Sequence, residues 1–404
     1  DVYKRQGFIG QDIQNILNVT VEDVQRAYEK YIKDKPAVFL SMVPQDQSSL
    51  VLSNSTQADV KEEEIVPGAE KNFSMKYGKE KSEFEKTPTK YDRSEPPFGE
   101  PPLLELPKVW RGDLSNGIKL YGIENDELPM IQFTMRIDGG QALDPEGKEG
   151  VALLLGSMLK EGTKDRTPAE LEEAIDLLGS SISLSVGLEG MYISGNTLAK
   201  NFNETISIMT EMLTEPRWDE QAFEIVKNRR INSIKQRRTN AQSVAFSALA
   251  RQLYGPGHPA STPLGGTEFS VNSITMEDLK NYFSSNLSPK VSHFHIAGDI
   301  KQTTAQRLLG QLSQAWKGEK VNIPKIPRVE PPSKPKVFFI DIPDAKQSAI
   351  SVGTLTIPGN DPELFKLTVV NNRLGGGMEA RLMRTLRLDC LLYTSDAADD
   401  FVRV

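Results

Sequence analysis
The chain reads as an α+β protein built from a repeated domain, and three observations carry that reading. From residue 105 onward, short apolar runs with strand-like alternation interleave with helical periodicities. One helix–strand unit occurs twice, and a proline- and charge-rich stretch separates the two occurrences. With 404 residues, 38% of them hydrophobic, there is enough apolar material for two or more domains. No apolar run approaches the roughly 18 residues of a bilayer span, and the opening "DVYKRQGFIG" lacks the long apolar core of a signal peptide. The formal net charge of −7 gives no general attraction to nucleic acid.

Residues 7–47 hold the first copy of the unit. "VTVEDVQRAYEKYI" places Thr20 as an N-cap with Asp23 three residues on, and "AVFLSMV" follows as a short strand. The second copy, "ITMEDLKNYFSSNL" followed by "VSHFHIAG", places Thr275 and Asp278 in the same roles, 255 residues after Thr20 and Asp23. A period that long points to duplicated domains, since solenoid units run to about 20–50 residues. Residues 7–47 therefore read as the closing part of a preceding domain. Residues 48–104 read as a linker: they are polar, then rich in charge and proline, and Pro96, Pro97, Pro101 and Pro102 deny ladder hydrogen bonds.

A full domain is expected over 105–325. "GIKLYGIEN" and "PMIQFTMRIDGG" read as adjacent strands, "SSISLSVGLEGMYISGNTLA" as a strand pair, and helices as about 147–160, 167–178, 200–214 and 218–252. A second strand–strand–helix opening follows in 326–387: "KVFFIDIP", "QSAISVGTLTI" and "DPELFKLTVVNNRLGG", with Asp361 near the cap and glycine at the end. Residues 1–6 and 388–404 look like translated adaptor sequence and are set apart from the domains, together with Cys390 and Tyr393. Cys390 is the only cysteine, which excludes an internal disulfide and a cysteine-based zinc site.

Other clusters admit two readings each. The basic run "KNRRINSIKQRR" (227–238) has the spacing of a solvated helix face, with a polyanion site as the alternative. His293 and His295 alternate on one strand face and, with His258, would make a three-histidine metal site; alternatively the pair packs and His258 fixes its Gly/Pro turn.

"IDGGQALDPEGKEGVALLLGSMLKEGT", with "LYGPGHPASTPLGG", "SITMEDLKNYFSSNLSP" and "NNRLGGGMEARLMRTLR", resembles the pitrilysin and insulinase family of zinc peptidases, the inverted zincins, over roughly residues 7–387. In that family the glycine-rich turn leads into a helix carrying His-x-x-Glu-His. Residues at i and i+4 stack on one helix face, so two imidazoles share a zinc while the Glu serves as general base. The resemblance puts Leu153 and Ser157 at the histidine positions, Gly156 at the glutamate and Ser233 at the third ligand, so no catalytic or metal residue is retained. It implies insulinase-type domains, each an antiparallel sheet covered by helices, arranged as clamshell halves. This chain would be the non-catalytic C-terminal half of a tandem enzyme, with zinc in the other half or in an active partner subunit, acting on peptides or proteins in the periplasm or cell envelope. The alternative is a catalytically inactive scaffold or assembly subunit.

In the family's second half an arginine ending a helix holds the substrate carbonyl, and Arg387 matches it. The other reading of Arg387 is a solvated residue stabilising the helix C-terminus. The run Gly375, Gly376 and Gly377 either lets substrate backbone approach or caps the preceding helix.

Overall fold
A computed structural model describes residues 8–44, 47–57, 90, 99, 106–343, 348–377 and 379–385. The chain divides into two units, 1–99 and 100–404. In the first, α1 (Phe8–Leu17) precedes α2 (Val21–Tyr31). The start of α2 is set by a reciprocal capping box: Thr20 Oγ1 accepts from Asp23 N at 3.2 Å and Asp23 Oδ2 accepts from Thr20 N at 3.1 Å. No α2 residue is buried. The expected strand at 37–43 joins no ladder, and Val38, Phe39, Leu40 and Met42 are exposed.

In the second unit the chain runs β1 (Val109–Asp113), β2 (Lys119–Glu124), β3 (Met130–Asp138), α3 (Val151–Met158), α4 (Pro168–Leu177), β4 (Ser181–Val186), β5 (Gly190–Leu198), α5 (Phe202–Thr214), α6 (Glu220–Thr239), α7 (Ala241–Tyr254), α8 (Glu268–Ser273), α9 (Met276–Asn286) and β6 (Ser292–Gly298). Short helices α10 (Gln302–Leu308) and α11 (Gly310–Ala315) follow, then α12 (Leu364–Leu374) and α13 (Arg381–Met383). The sheet order is β1-β2-β6-β3-β5-β4, and every neighbouring pair is antiparallel except β2 with β6.

Four expectations are corrected here. β2 and β3 are not neighbours: β6 enters between them, pairing Leu120 with Phe294 on one side and Met135 with Phe294 on the other. The sheet is therefore mixed, not purely antiparallel. The helix expected over 218–252 breaks at Asn240, whose backbone N–H closes α6 on the Arg237 carbonyl and whose side chain accepts from Ser243 N at 2.8 Å to cap α7. The strands expected at 336–343 and 347–357 form no ladder among the described residues, and Val337, Phe339 and Val352 stay exposed. Alternation alone gives an extended backbone; a strand also needs a neighbour to pair with.

The core lies between one sheet face and the helices. Leu120, Phe294, Ile296, Ile131, Phe133 and Met135 pack with residues of α3, α5 and α9, and Phe133 stacks on Phe294 at 5.7 Å between centroids. Each such side chain contributes about 1.5–3 kcal/mol by leaving water. The opposite sheet face is polar, with Tyr121, His295, Thr134, Ser194 and Ser183 aligned across five strands.

Candidate functional site
Helix α3 is positioned by a turn that glycine alone permits. Gly139 and Gly140 follow β3 with φ of 129° and 57°, and a Cβ on Gly140 would lie 2.4 Å from the Gly187 carbonyl oxygen. Gln141 then anchors the facing loop, its Oε1 accepting from Gly265 N at 2.6 Å. Gly150 takes the N-cap position at φ 112°, so it offers no side chain to cap α3. Asp144 does this from outside the helix: its carboxylate accepts from Gly150 N at 2.6 Å and from Ala152 N at 2.9 Å. Burial pushes the Asp144 carboxyl up to about 7, against the pull of those N–H bonds. Tyr282 of α9 donates to the Gly140 carbonyl at 2.7 Å, and burial, with the Asp144 charge beside it, holds its phenol far above the usual range.

Along α3, Val151, Ala152, Leu154, Leu155, Gly156 and Met158 are buried, while Leu153 and Ser157 are half-buried. Ser157 Oγ donates to the Leu153 carbonyl at 3.0 Å, one turn back on its own helix. A Cβ on Gly156 would meet Val186 Cγ2 at 3.0 Å, so the helix approaches β4 too closely for a larger residue without movement. α6 packs beside α3, and on it Ser233 is half-buried between the buried Ile231 and Ile234. These four positions supply no imidazole, carboxylate or thiolate, so they do not fit a zinc ion. Among the described residues, no group of three or more His, Cys, Asp and Glu is arranged to hold a metal.

One turn before Ser233, Arg230 binds the loop that faces α3. Its Nε donates to the Gly265 carbonyl at 2.8 Å and its Nη2 to that of Leu264. Burial, with Arg237 nearby, lowers its pKa to about 10. The rest of the basic run is largely absorbed in the same way: Lys227 reaches the Ile274 carbonyl, Arg229 pairs with Glu161, and Lys235 and Arg238 pair with Glu268. Neither Asp144 nor Arg230 stands out in the sequence: Asp144 caps from six and eight residues before its partners, outside the spacing of a capping box, and Arg230 bonds carbonyls 34 and 35 residues on.

The three histidines are not brought together. His293 Nε2 lies 3.4 Å from Asp138 Oδ2, and Tyr121 stacks on His295 at 5.1 Å. His258 sits in its own loop, where Nδ1 accepts from Ala260 N at 3.1 Å, so it does fix that turn. An open depression of about 530 Å³ on the polar sheet face is bordered by Tyr121, Thr134, Ser183, Ser194, Asn196 and His295. Gly375 N donates to the Asn371 carbonyl at 2.8 Å and Gly376 N reaches those of Asn371 and Asn372 at 3.2 Å, which ends α12; Gly377 follows them. Arg387 lies outside the described residues.

A helix-backed six-stranded sheet whose glycine turn launches α3 defines a domain of the peptidase M16 type. The family model "Insulinase (Peptidase family M16)" matches residues 123–268 and that of the "Peptidase M16 inactive domain" matches 273–397. The chain belongs to this family. It is 26% identical over 288 residues to the "Non-peptidase homolog YmxG" of Helicobacter pylori, covering 70% of this chain and 65% of that relative. It is 21% identical to the "Uncharacterized zinc protease YmxG" of Bacillus subtilis, with 70% and 67% covered. The beta subunit of a probable mitochondrial-processing peptidase of Arabidopsis thaliana is 23% identical over 68% of this chain and 51% of its own length. Among solved structures, the peptidase M16 inactive domain from Pseudomonas fluorescens superposes with a TM-score of 0.61 at 21% identity, covering 70% of this chain and 68% of that one.

Proposed function
We propose that this chain is the non-catalytic half of a zinc-dependent endopeptidase, pairing with a half or subunit that carries His-x-x-Glu-His. The observation that carries the reading is α3 itself. It keeps the glycine-rich turn leading into the helix while Leu153, Gly156 and Ser157 offer the metal nothing, and any side chain at Gly156 would press on Val186. In this role the chain supplies chamber wall and substrate contacts, and Arg387 donates to the carbonyl oxygen that gains charge as the peptide bond is attacked. Zinc and the attacking water belong to the partner half. A periplasmic or envelope location goes with the same proposal.

The test is reconstitution. The chain is purified alone and with a zinc-bearing M16 half, and metal content and cleavage of a fluorogenic peptide are measured. Alone it binds no stoichiometric zinc and cleaves nothing; the pair turns over, and Arg387→Ala lowers kcat of the pair by about 10²–10³ with assembly intact. Zinc binding and cleavage by the chain alone overturn the proposal. The triple variant Leu153→His/Gly156→Glu/Ser157→His does not gain activity and loses stability, because a glutamate side chain on that turn of α3 would push into Val186. A second reading, a scaffold or assembly subunit, draws on the relative named a non-peptidase homolog and on the relative named as a subunit. It predicts a stable complex whose turnover does not depend on Arg387.

A further inference from the structure
The turn between β1 and β2 holds the only Asn–Gly pair in the chain, Asn116–Gly117. Leu114 N donates to the Ile118 carbonyl at 2.9 Å and Gly117 N to the Leu114 carbonyl at 3.0 Å, with Gly117 at φ 102°. That is a three-residue hairpin loop, a type I turn closed by a left-handed glycine. A second set of bonds clamps the turn to the end of α11. Asn116 is 9% exposed, and its Nδ2 donates to the Trp316 carbonyl, 200 residues on, at 3.1 Å. Ser115 Oγ shares a hydrogen bond with Ser313 Oγ at 2.6 Å.

An Asn–Gly pair can modify itself, because the glycine nitrogen meets no side chain of its own residue on its way to the carboxamide carbon. The Gly117 nitrogen attacks Asn116 Cγ and gives up its proton; the Cγ–Nδ2 bond breaks, and Nδ2 takes that proton and leaves as ammonia. Water then opens the cyclic imide at either carbonyl, leaving aspartate or isoaspartate. Only water is consumed. In this fold both reacting nitrogens are held. The Gly117 N–H is bonded to Leu114 and the departing Nδ2 to Trp316. The type I turn also sets ψ of Asn116 at about 0°, which turns the Gly117 nitrogen away from the side chain.

We propose that Asn116 is a deamidation site gated by α11: it is modified when the end of α11 lifts from the turn, and the modification makes that release permanent. Either product removes the Nδ2 donor and sets a carboxylate against the Trp316 carbonyl, two acceptors face to face in a buried place. Isoaspartate also adds a backbone carbon to the loop whose length sets the β1–β2 register.

The intact chain is incubated at about pH 8.5, folded and in guanidinium chloride, and the peptide bearing Asn116 is followed by mass spectrometry for amide-to-acid conversion and for isoaspartate. Conversion should run at least about tenfold more slowly in the folded chain, the scale of the two bonds that hold the reacting nitrogens. Ser313→Ala removes the Ser115 contact; it should speed conversion about three- to tenfold in the folded chain and not at all in guanidinium chloride. Equal folded and unfolded rates in the wild type, no conversion at Asn116 in either state, or a folded rate that Ser313→Ala leaves unchanged each overturn the proposal. Permanent release is read in Asn116→Asp by hydrogen exchange at Gly117 N and Trp316 N, which the fold bonds to the Leu114 and Leu312 carbonyls. Both should exchange faster than in the wild type while β3 and β5 amides do not change, and unchanged exchange at both overturns it. If either variant fails to fold, the wild-type rates decide.

Discussion

The two copies of the helix–strand unit carry the same local instructions and meet different fates. Thr20 with Asp23, and Thr275 with Asp278, form the same reciprocal capping box. Yet α2 buries no residue, whereas α9 buries Met276, Leu279 and Tyr282, and Phe294 and Ile296 on the strand after it are buried as well. Position for position, Val24 is 59% exposed and its counterpart Leu279 is 0% exposed. Capping is decided within one turn of chain, so it is written in both copies. Burial depends on a sheet that the rest of the second unit provides, and the described residues of the first unit contain no strand ladder.

The comparison is broken most severely by truncating those counterparts. Leu279→Ala should cost about 2–5 kcal/mol in urea unfolding of the second unit, because it opens a cavity among α3, α9 and the sheet. Val24→Ala should change the same transition by less than about 0.5 kcal/mol. Equal effects would mean that α2 has a packing partner.

A second contrast sets Asp144 against Asp278, two carboxylates that each accept backbone N–H groups at a helix start. Asp278 is lowered: burial opposes the shift, and the Lys148 ion pair at 2.8 Å and the Thr275 bonds override it. Asp144 has no cation, and burial pushes it up to about 7. Its folded value therefore lies above its unfolded one, and the folded chain holds more protons between about pH 4 and pH 7. Stability from this group is greatest below that window and falls as pH rises through it, by on the order of 2–4 kcal/mol. Asp144→Asn keeps a cap and should flatten the fall. Urea midpoints at pH 5 and pH 8 check this; an unchanged slope in the variant assigns the dependence to other groups.

What the sequence disclosed follows the same division. The capping boxes, the β4–β5 hairpin and the α3 turn are local, and each was legible: Thr20, Thr275 and the Gly139–Gly140 pair announce themselves within a few residues. The insertion of β6 between β2 and β3 was not, because parallel pairing across some 170 residues leaves no mark on either strand. β1 was missed since Val109–Asp113 is a short edge strand with two charges and a glycine. Asn240 did carry a signal, an N-cap residue inside an apparently continuous helix, and the periodicity on either side masked it. At the candidate site, the positions on α3 were readable from its flanks. Asp144, which caps the helix, was not, because its N–H partners lie six and eight residues on, outside the spacing of a capping box; nor was Arg230, whose loop carbonyls only the fold brings within reach.

The capping boxes themselves give the smallest and most discriminating comparison. Each Thr oxygen accepts one N–H that would otherwise lack an intrahelical partner, so Thr→Ala removes about 1 kcal/mol of helix stability in either copy. For Thr275→Ala that loss passes to the whole domain, since α9 is packed against α3 and the sheet cannot form without the segment it leads into. The urea transition should shift by about 1 kcal/mol, and amides at the start of α9 should stay protected until global unfolding. For Thr20→Ala the same loss stays local: α2 should fray, seen as faster exchange at Asp23 and Val24, with the main transition unmoved. If Thr20→Ala shifts that transition as much as Thr275→Ala does, the contrast between an exposed and a buried copy fails.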